Sequence, residues 1–161
     1  MAYFRLYGRA PKNQRIREGI KDCRFKRQSI LSTVSFDGQQ VPIIFDGTLN
    51  KELFAEYLET QLAPTLAPDS ILILDNSSVH KSKKAIETLE ALNINYMFLP
   101  PYSPDFNPIE FLWSKMKTTL KKLKARSKPH LETAINKALD LITLTNIQNW
   151  FRHCGYLTDI C

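Results

Sequence analysis

The amino-acid sequence predicts an α/β protein in which helices cover a mixed β-sheet. Two observations support this fold class. A hairpin signal divides a β-rich stretch early in the chain, which predicts antiparallel strands, and a further short strand is expected at residues 3–6. Later, an apolar strand, a helix and a second apolar strand follow one another, an order that usually gives a parallel crossover. We expect the 161 residues to form one domain.

The hairpin signal is Asp37-Gly38, which separates two β-rich runs at residues 30–36 and 39–45. After the hairpin, Asn50 has the position of a helix N-cap. The apolar side chains that follow it repeat at helical spacing until the chain reaches a proline. The sequence therefore predicts a helix directly after the antiparallel pair.

The crossover begins with Ile71–Leu74, four consecutive apolar residues typical of a strand buried on both faces. The run stops at Asp75, so a carboxylate lies where the strand reaches the surface. A helix at residues 83–92 and a strand at residues 94–99 follow. A right-handed crossover would return the chain to the sheet edge that carries Asp75.

A longer helix begins after a proline-rich connection. Asn107, Pro108 and Glu110 fit its N-cap, first and third positions. A second carboxylate therefore lies on the first turn of a helix. We expect Pro129 to separate this helix from another at residues 131–144. The tail carries aromatic residues that we expect to pack against the core, namely Trp150, Phe151 and Tyr156.

Composition excludes several classes of protein. No apolar run approaches the roughly 18 residues of a membrane span, and the start of the chain has no apolar signal core. We therefore expect a cytoplasmic protein with no membrane partner. The cysteines are odd in number and lack zinc-finger spacing, which argues against a disulfide framework. They are Cys23, Cys154 and Cys161.

Charge is unevenly distributed, although the formal net charge is only +6. Residues 1–30 contain nine Lys or Arg and residues 111–128 contain seven, whereas residues 36–110 contain eleven acids. Two basic blocks thus flank an acidic middle, which suits a polyanion held beside metal-binding carboxylates. A solvated surface explains each block singly about as well.

Asp75 and Glu110 are the candidate catalytic pair. Mg²⁺ prefers oxygen ligands, and two ions about 3.5–4 Å apart can stabilise the attacking and leaving oxygens of a phosphodiester displacement. If both acids face one cleft, metal-dependent phosphoryl chemistry follows. The structural alternative is that Asp75 is a turn residue and Glu110 is half of a capping box. Spacing alone favours that alternative.

Three segments together resemble the DDE endonuclease domain of mariner-type bacterial insertion-sequence transposases. They are Asp75-Asn76-Ser77-Ser78-Val79-His80, the proline-rich block from Leu99 to Glu110, and Trp113-Ser114-Lys115-Met116-Lys117. Tyr7-Gly8-Arg9-Ala10-Pro11 and His153-Cys154-Gly155-Tyr156 are also similar to that family. The resemblance covers nearly the whole chain and favours the catalytic interpretation of both acids.

The resemblance implies a ribonuclease-H-like fold for residues 1–128, with a helical extension at residues 129–161. It implies that Asp75 and Glu110 are the second and third acids of a triad that binds two Mg²⁺ or Mn²⁺ ions. Members of this family hydrolyse DNA at the transposon end and then direct the freed 3′-hydroxyl against a target phosphodiester. They act as dimers on paired ends. The implied partners are double-stranded DNA and a second copy, at the nucleoid of a bacterial cytoplasm.

The first acid of the triad has no counterpart in this sequence. In the family it precedes the segment that resembles Tyr7 to Pro11, and none of the six residues before Tyr7 is acidic here. Asp37 and Asp46 do not match its position. The family's N-terminal helix-turn-helix region is absent too. We therefore expect the sheet to lack its first central strand and activity to require an upstream segment, whether frameshifting supplies that segment or a broken gene has lost it.

DNA contacts are expected on the helix that carries Glu110. Lysines there would contact phosphates and carry little sequence information. The candidates are Lys115, Lys117, Lys121, Lys122 and Lys124. Asn76 and His80 are close enough to Asp75 to contact metal-bound water or phosphate, but a turn hydrogen bond is the expected role of each.

Two other functions stay open. A catalytically inactive product that binds DNA through its basic blocks, or that inhibits full-length transposase, fits the same charge pattern. Its DNA binding would be salt-sensitive and would survive replacement of Asp75. A stand-alone ribonuclease-H-like repair nuclease fits the fold but not the proline-rich block.

Overall fold

The computed structural model describes residues 28–123 and 128–156. The strand predicted at residues 3–6, the segment from Tyr7 to Pro11, Cys23, Cys161 and Lys124 lie outside these ranges. The described elements are β1 (Gln28–Leu31), β2 (Ile43–Asp46), α1 (Lys51–Tyr57), β3 (Ile71–Leu74), α2 (Lys83–Ala91), β4 (Asn95–Phe98), α3 (Ile109–Leu123), α4 (Lys128–Asp140) and α5 (Leu144–His153). No helix in these ranges is long and apolar enough to cross a membrane.

The predicted hairpin is confirmed. Strands β1 and β2 pair antiparallel, and the same register continues to a bridge between Val34 and Gln40. Gly38 has a φ of 96°, a conformation that glycine adopts without strain. The ladder is interrupted at Pro42, which has no N–H to donate. The hairpin is therefore continuous in register but shorter in regular pairing than the sequence suggested.

Helix α1 begins where the sequence predicted it. Asn50 is the N-cap, and its side-chain oxygen accepts a hydrogen bond of 2.8 Å from the Leu53 N–H. The chain then continues as a π-helical turn at Leu58–Leu62 and a 3₁₀ turn at Ala63–Thr65. The helical run therefore extends past the proline at which we expected it to stop.

Strands β3 and β4 form the predicted parallel pair, and α2 connects them. The prediction that β3 is buried on both faces is wrong. Leu72 and Leu74 pack into the core beneath α1 and α2, whereas the Ile71 residue is 61% exposed. Side chains alternate along a strand, so Ile71 and Ile73 share the opposite face, and they line a cavity.

The described strands form two separate two-stranded sheets. One contains β1 and β2, and the other contains β3 and β4; no hydrogen-bonded strand joins them within residues 28–123 and 128–156. Residues of β1 and β3 line a common cavity.

The C-terminal part contains a helix that the sequence analysis missed. We predicted one helix over residues 131–144, but α4 ends at Asp140 and α5 begins at Leu144. The cause is a capping box: the Asn146 N–H donates to Thr143 Oγ1 at 3.3 Å, and Asn146 Oδ1 accepts from the Thr143 N–H at 3.2 Å. This local network ends one helix and starts another.

The aromatic residues of α5 and its end pack as predicted. The Trp150 ring is stacked on Phe111, with centroids 6.4 Å apart, and Phe151 meets Phe36 edge-on at 5.8 Å. The Tyr156 hydroxyl donates a hydrogen bond of 2.9 Å to the Phe106 carbonyl. Helix α5 is thus joined both to the start of α3 and to the hairpin.

Two hydrophobic clusters divide the core. The first contains buried residues of α1, the π-helical turn, β3 and α2: Phe54, Tyr57, Leu58, Leu62, Leu72, Leu74, Ala85 and Leu89. The second joins the three C-terminal helices to β1 and β2, with buried residues Leu112, Met116, Leu120, Ala134, Ile135, Ala138, Ile142 and Ile147. The first cluster supports the strand that ends at Asp75, and the second supports the helix that carries Glu110.

Candidate active site

A cavity lies between the two strand pairs, with a volume of about 520 Å³. Asp75 and Glu110 both line it, although 34 residues separate them in the sequence. One carboxylate arrives at the end of β3 and the other on the first turn of α3. The structure therefore brings the predicted catalytic pair to one cavity.

Asp75 is held by its own turn. Its Oδ1 accepts a hydrogen bond of 2.9 Å from the Ser77 N–H and lies 2.7 Å from Nδ1 of His80. An ionised carboxylate only accepts hydrogen bonds, so Nδ1 carries the hydrogen in this pair. The Asp75 side chain is 53% exposed, which leaves it accessible to a ligand.

A second side chain ties this turn to the end of β4. The Asn76 amide donates a hydrogen bond of 2.5 Å to the Leu99 carbonyl, and the Leu99 N–H donates to the Leu74 carbonyl at 2.9 Å. Asn76 and His80 thus make the hydrogen bonds expected of turn residues. Together they fix the Asp75 turn between β3 and the proline-rich connection.

Glu110 is positioned by that connection. The chain passes through a 3₁₀ turn at Pro104–Phe106, and the Glu110 N–H donates to the Asn107 carbonyl at 3.1 Å. Helix α3 begins at Ile109, one residue later than predicted. Glu110 is exposed, so its carboxylate is accessible from solvent.

Asp37 and Asp46, the two acids compared with the missing first ligand, have surroundings that differ from those of Asp75 and Glu110. Asp37 lines the cavity, but its Oδ1 accepts from Ser35 Oγ and from the Gln39 N–H. The Ser35 hydrogen bond, helped by that of Gln39, lowers the Asp37 pKa. Asp46 ends β2 and lines a separate pocket. Asp37 therefore acts as a turn residue of the hairpin.

The donor set partly fits a divalent metal ion. Two carboxylates that line one cavity offer the oxygen ligands that Mg²⁺ and Mn²⁺ accept. Among residues 28–123 and 128–156, however, no group of three or more acidic, His or Cys side chains is arranged to hold a metal ion. The assignment of Asp75 and Glu110 as metal ligands stays a prediction.

The candidate DNA-binding lysines of α3 differ in their surroundings. Lys117, Lys121 and Lys122 are exposed. The Lys115 ammonium instead donates to the Leu141 carbonyl at 2.6 Å and to Asn146 Oδ1, so it joins α3 to the α4–α5 connection. Contact between any of these lysines and DNA stays a prediction.

A second group of lysines follows the Asp75 turn and was not singled out from the sequence. Lys81, Lys83 and Lys84 are exposed, and the Lys81 ammonium lies 5.3 Å from the centre of the Phe98 ring. Their signal was available as the run Lys81-Ser82-Lys83-Lys84, directly after His80. It was hidden because the surrounding segment is acidic overall.

Comparison with known proteins identifies the family. A family described as DDE superfamily endonuclease matches residues 3–132. The chain belongs to the DDE superfamily of endonucleases. It is 26% identical over 121 residues to the transposable element Tcb1 transposase of Caenorhabditis briggsae, and 27% identical over 120 residues to the Tcb2 transposase of the same organism. This DDE chain is thus a homologue of Tc1/mariner transposases.

The DDE chain is shorter than these relatives. The two alignments cover 70% and 64% of this chain but 44% of each relative. The chain therefore spans less than half the length of the curated relatives it matches. The similarity shows the family of this chain and does not by itself assign it the activity of the complete proteins.

Solved structures agree on the fold of the DDE domain. The Mos1 strand transfer complex is similar with a TM-score of 0.76 at 18% identity, over 92% of this chain and 46% of that chain. The Mos1 paired-end complex with the left transposon end gives 0.77 at 18% identity, over 92% and 47%. The catalytic domain of Mos1 mariner transposase gives 0.57 at 16% identity, over 80% and 73%. The ribonuclease-H-like fold predicted from the sequence is confirmed.

Proposed function

We propose that this chain is a catalytic-domain portion of a DNA transposase, in which Asp75 and Glu110 bind divalent metal ions for DNA strand cleavage and strand transfer. The observation that carries this proposal is that Asp75 and Glu110 line one cavity although they come from different elements. Membership of the DDE superfamily supports the same chemistry.

The cavity is also the proposed place of a third metal ligand, which is not found among the described residues. Its lining is largely apolar and includes residues of β1 and β3, whose facing edges have no strand partner within the described ranges. An extended apolar segment seated there would hydrogen-bond with both edges. If that segment ends in an acid, it adds a third carboxylate near the other two. We propose that polypeptide upstream of residue 1 supplies this strand in the working enzyme.

The residues of this chain have separate tasks in such a site. Asp75 and Glu110 would hold two Mg²⁺ or Mn²⁺ ions, which, when bound, supply charge stabilisation to the attacking and leaving oxygens of the phosphodiester. Lys117 and Lys121 extend along α3 from the same exposed face as Glu110, so they would hold DNA phosphates beside it. The hydrogen bonds that Asp75 accepts from Ser77 and His80 keep one ligand in place before DNA binds.

Double-stranded DNA is the proposed partner, with a second copy of the protein in the complete enzyme. The Mos1 structures to which the fold is similar are named as a strand transfer complex and a paired-end complex with a transposon end. The exposed lysines of α3 support a contact with phosphates here. Activity at the bacterial nucleoid is part of the same proposal.

Cleavage assays with Mg²⁺ test this function. The 161-residue chain alone should leave a transposon-end duplex intact, whereas a version extended upstream should cut it. Asp75→Asn or Glu110→Gln should abolish cutting by the extended version, because each removes a metal ligand. Glu90→Gln, at an exposed position of α2, is the matched control and should cut normally. Cutting that persists with both ligands neutralised contradicts the proposal.

A second candidate is an inactive DNA-binding product or an inhibitor of complete transposase. The exposed Lys117, Lys121 and Lys122 favour it because phosphate binding needs no metal. It predicts DNA binding that weakens steeply between about 50 and 200 mM salt and that Asp75→Asn leaves unchanged. Replacing the three lysines with alanine should reduce binding; if affinity is undiminished, α3 is not the contact surface.

A further inference from the structure

The surroundings of the Asp75 carboxylate are asymmetric. Both of its hydrogen bonds, from the Ser77 N–H at 2.9 Å and from His80 Nδ1 at 2.7 Å, go to Oδ1. Within the described ranges no hydrogen bond reaches Oδ2. A carboxylate held this way has one oxygen occupied by the protein and one oxygen available to a ligand.

His80 can impose this asymmetry because its own ring is fixed. The imidazole lies against Phe54, with ring centroids 4.5 Å apart, and Phe54 is buried in the core with 2% exposure. Only 15% of the His80 side chain is exposed. The turn is closed by the Lys81 N–H, which donates to the Ser77 carbonyl at 3.1 Å. Movement of the imidazole would require a change in the core.

The last torsion of an aspartate side chain is broad, so an unrestrained carboxylate samples many orientations. Two donors directed at one oxygen remove that freedom before any ion binds. Preorganisation of this kind increases metal affinity because less order is lost on binding, and the outer partners of metal ligands act in this way.

We propose that His80 is a positioning residue, whose ring, anchored on Phe54, holds Oδ1 of Asp75 so that Oδ2 is the oxygen presented to the metal ion. This inference rests on the proposed function, since it assumes that Asp75 is a ligand. It assigns to His80 a task beyond closing the turn. A purely structural histidine would support the turn without influencing metal binding.

Two substitutions separate the hydrogen bond from the packing. His80→Phe keeps an aromatic ring against Phe54 but removes the donor. His80→Asn keeps a donor near the position of Nδ1 but removes the ring. Mn²⁺ binding to the full chain, followed by electron paramagnetic resonance of the free ion, and the thermal unfolding midpoint are measured for both.

We expect His80→Phe to weaken Mn²⁺ binding about tenfold, the lower end for loss of an outer partner, with a nearly unchanged unfolding midpoint. His80→Asn should lower the midpoint and retain most of the Mn²⁺ affinity. If the variant with the lower unfolding midpoint is also the one with the weaker Mn²⁺ binding, whether or not residue 80 supplies a donor, the proposal is overturned. Normal affinity in His80→Phe also overturns it.

Asp75→Asn distinguishes this inference from the function on which it rests. If Asp75→Asn loses Mn²⁺ binding but His80→Phe does not, the metal site stands and the positioning role of His80 is wrong. If neither the unaltered chain nor the version extended upstream binds Mn²⁺, or if Asp75→Asn binds it equally well, the proposed metal site fails and the inference fails with it.

Discussion

The two carboxylates reach the cavity through regions that are built differently. Asp75 is fixed by neighbours within five residues, Ser77 and His80, in a turn that the first core cluster supports. Glu110 begins a helix whose position depends on residues distant in the sequence, such as the contact of Phe111 with Trp150. Local hydrogen bonds hold Asp75 in a turn that is anchored on Leu99 and Phe54, whereas contacts with α5 hold the helix that carries Glu110. Changes in the C-terminal helices should therefore displace Glu110 and leave Asp75 in place.

The largest expected effect comes from the core beneath Glu110. Leu112 is completely buried in the second cluster, so Leu112→Ala should lower the free energy of unfolding by about 2–5 kcal/mol. Urea denaturation measures the loss. Leu123→Ala, at a position that is 43% exposed on the same helix, is the control and should change little. NMR shifts should change around Glu110 and stay constant around Asp75; equal changes at both sites would contradict the comparison.

Removal of the Lys115 charge is the next prediction. Lys115→Met loses the hydrogen bonds to the Leu141 carbonyl and Asn146, which should cost about 1.5 kcal/mol of stability. Lys117→Met, on the exposed face, should leave stability unchanged but weaken DNA binding and reduce its salt dependence. Chemical denaturation and DNA titration distinguish the two roles. If Lys115→Met is as stable as the unaltered chain, the hydrogen bonds of Lys115 do not stabilise the contact between α3 and the α4–α5 connection.

A buried phenol joins the hairpin to α1 and gives a pH test. The Tyr57 hydroxyl donates to the Val41 carbonyl at 2.7 Å and accepts from Thr33 Oγ1 at 3.2 Å, and burial raises the Tyr57 pKa to about 12. The unfolded chain releases this proton near pH 10, so the stabilising contribution is complete below that pH and is lost as pH rises through 12.

Tyr57→Phe should therefore lower stability by about 1–2 kcal/mol at pH 7 and remove part of the decline above pH 10. Denaturation curves at about pH 8, 10 and 11, which bracket the ordinary phenol pKa, provide the measurement. Tyr96→Phe, in the half-exposed strand β4, is the matched control. An alkaline decline that is identical in Tyr57→Phe would exclude Tyr57 as its source.

The smallest expected effect on stability concerns the proline-rich connection that precedes Glu110. Tyr156→Phe removes the hydrogen bond to the Phe106 carbonyl, which lies at an exposed site and should contribute less than about 1 kcal/mol. The sensitive measurement is hydrogen exchange at the Glu110 and Phe111 amides, which should become faster. Unchanged exchange there, with the stability also unchanged, would mean that α5 does not restrain the start of α3.

Local signals predicted much of the fold and the first half of the site. Asp37-Gly38 specified the turn of the hairpin, Asn50 specified the start of α1, and the apolar run ending at Asp75 specified β3. Each of these features depends on residues that are close in the sequence. The resemblance to transposases then favoured the catalytic interpretation of Asp75 and Glu110.

Sequence patterns were insufficient where distant contacts decide, and one local signal was overlooked. The exposure of Ile71 depends on the residues that face it across the cavity, and the apolar pattern of residues 71–74 does not indicate which residues those are. Helical periodicity alone did not reveal the break between α4 and α5, since it is set by the capping box of Thr143. The position of Lys115 against the α4–α5 connection follows from packing and was equally inaccessible.

The most direct test is whether Asp75 and Glu110 bind the same ions. Paramagnetic broadening by Mn²⁺ can be followed by NMR at the amides next to each acid. The account predicts that both sets of signals broaden over the same range of Mn²⁺ concentration, and that Asp75→Asn suppresses the broadening around Glu110 as well. Broadening around Glu110 that persists unchanged in Asp75→Asn would mean that the two acids act separately, which contradicts a shared metal site.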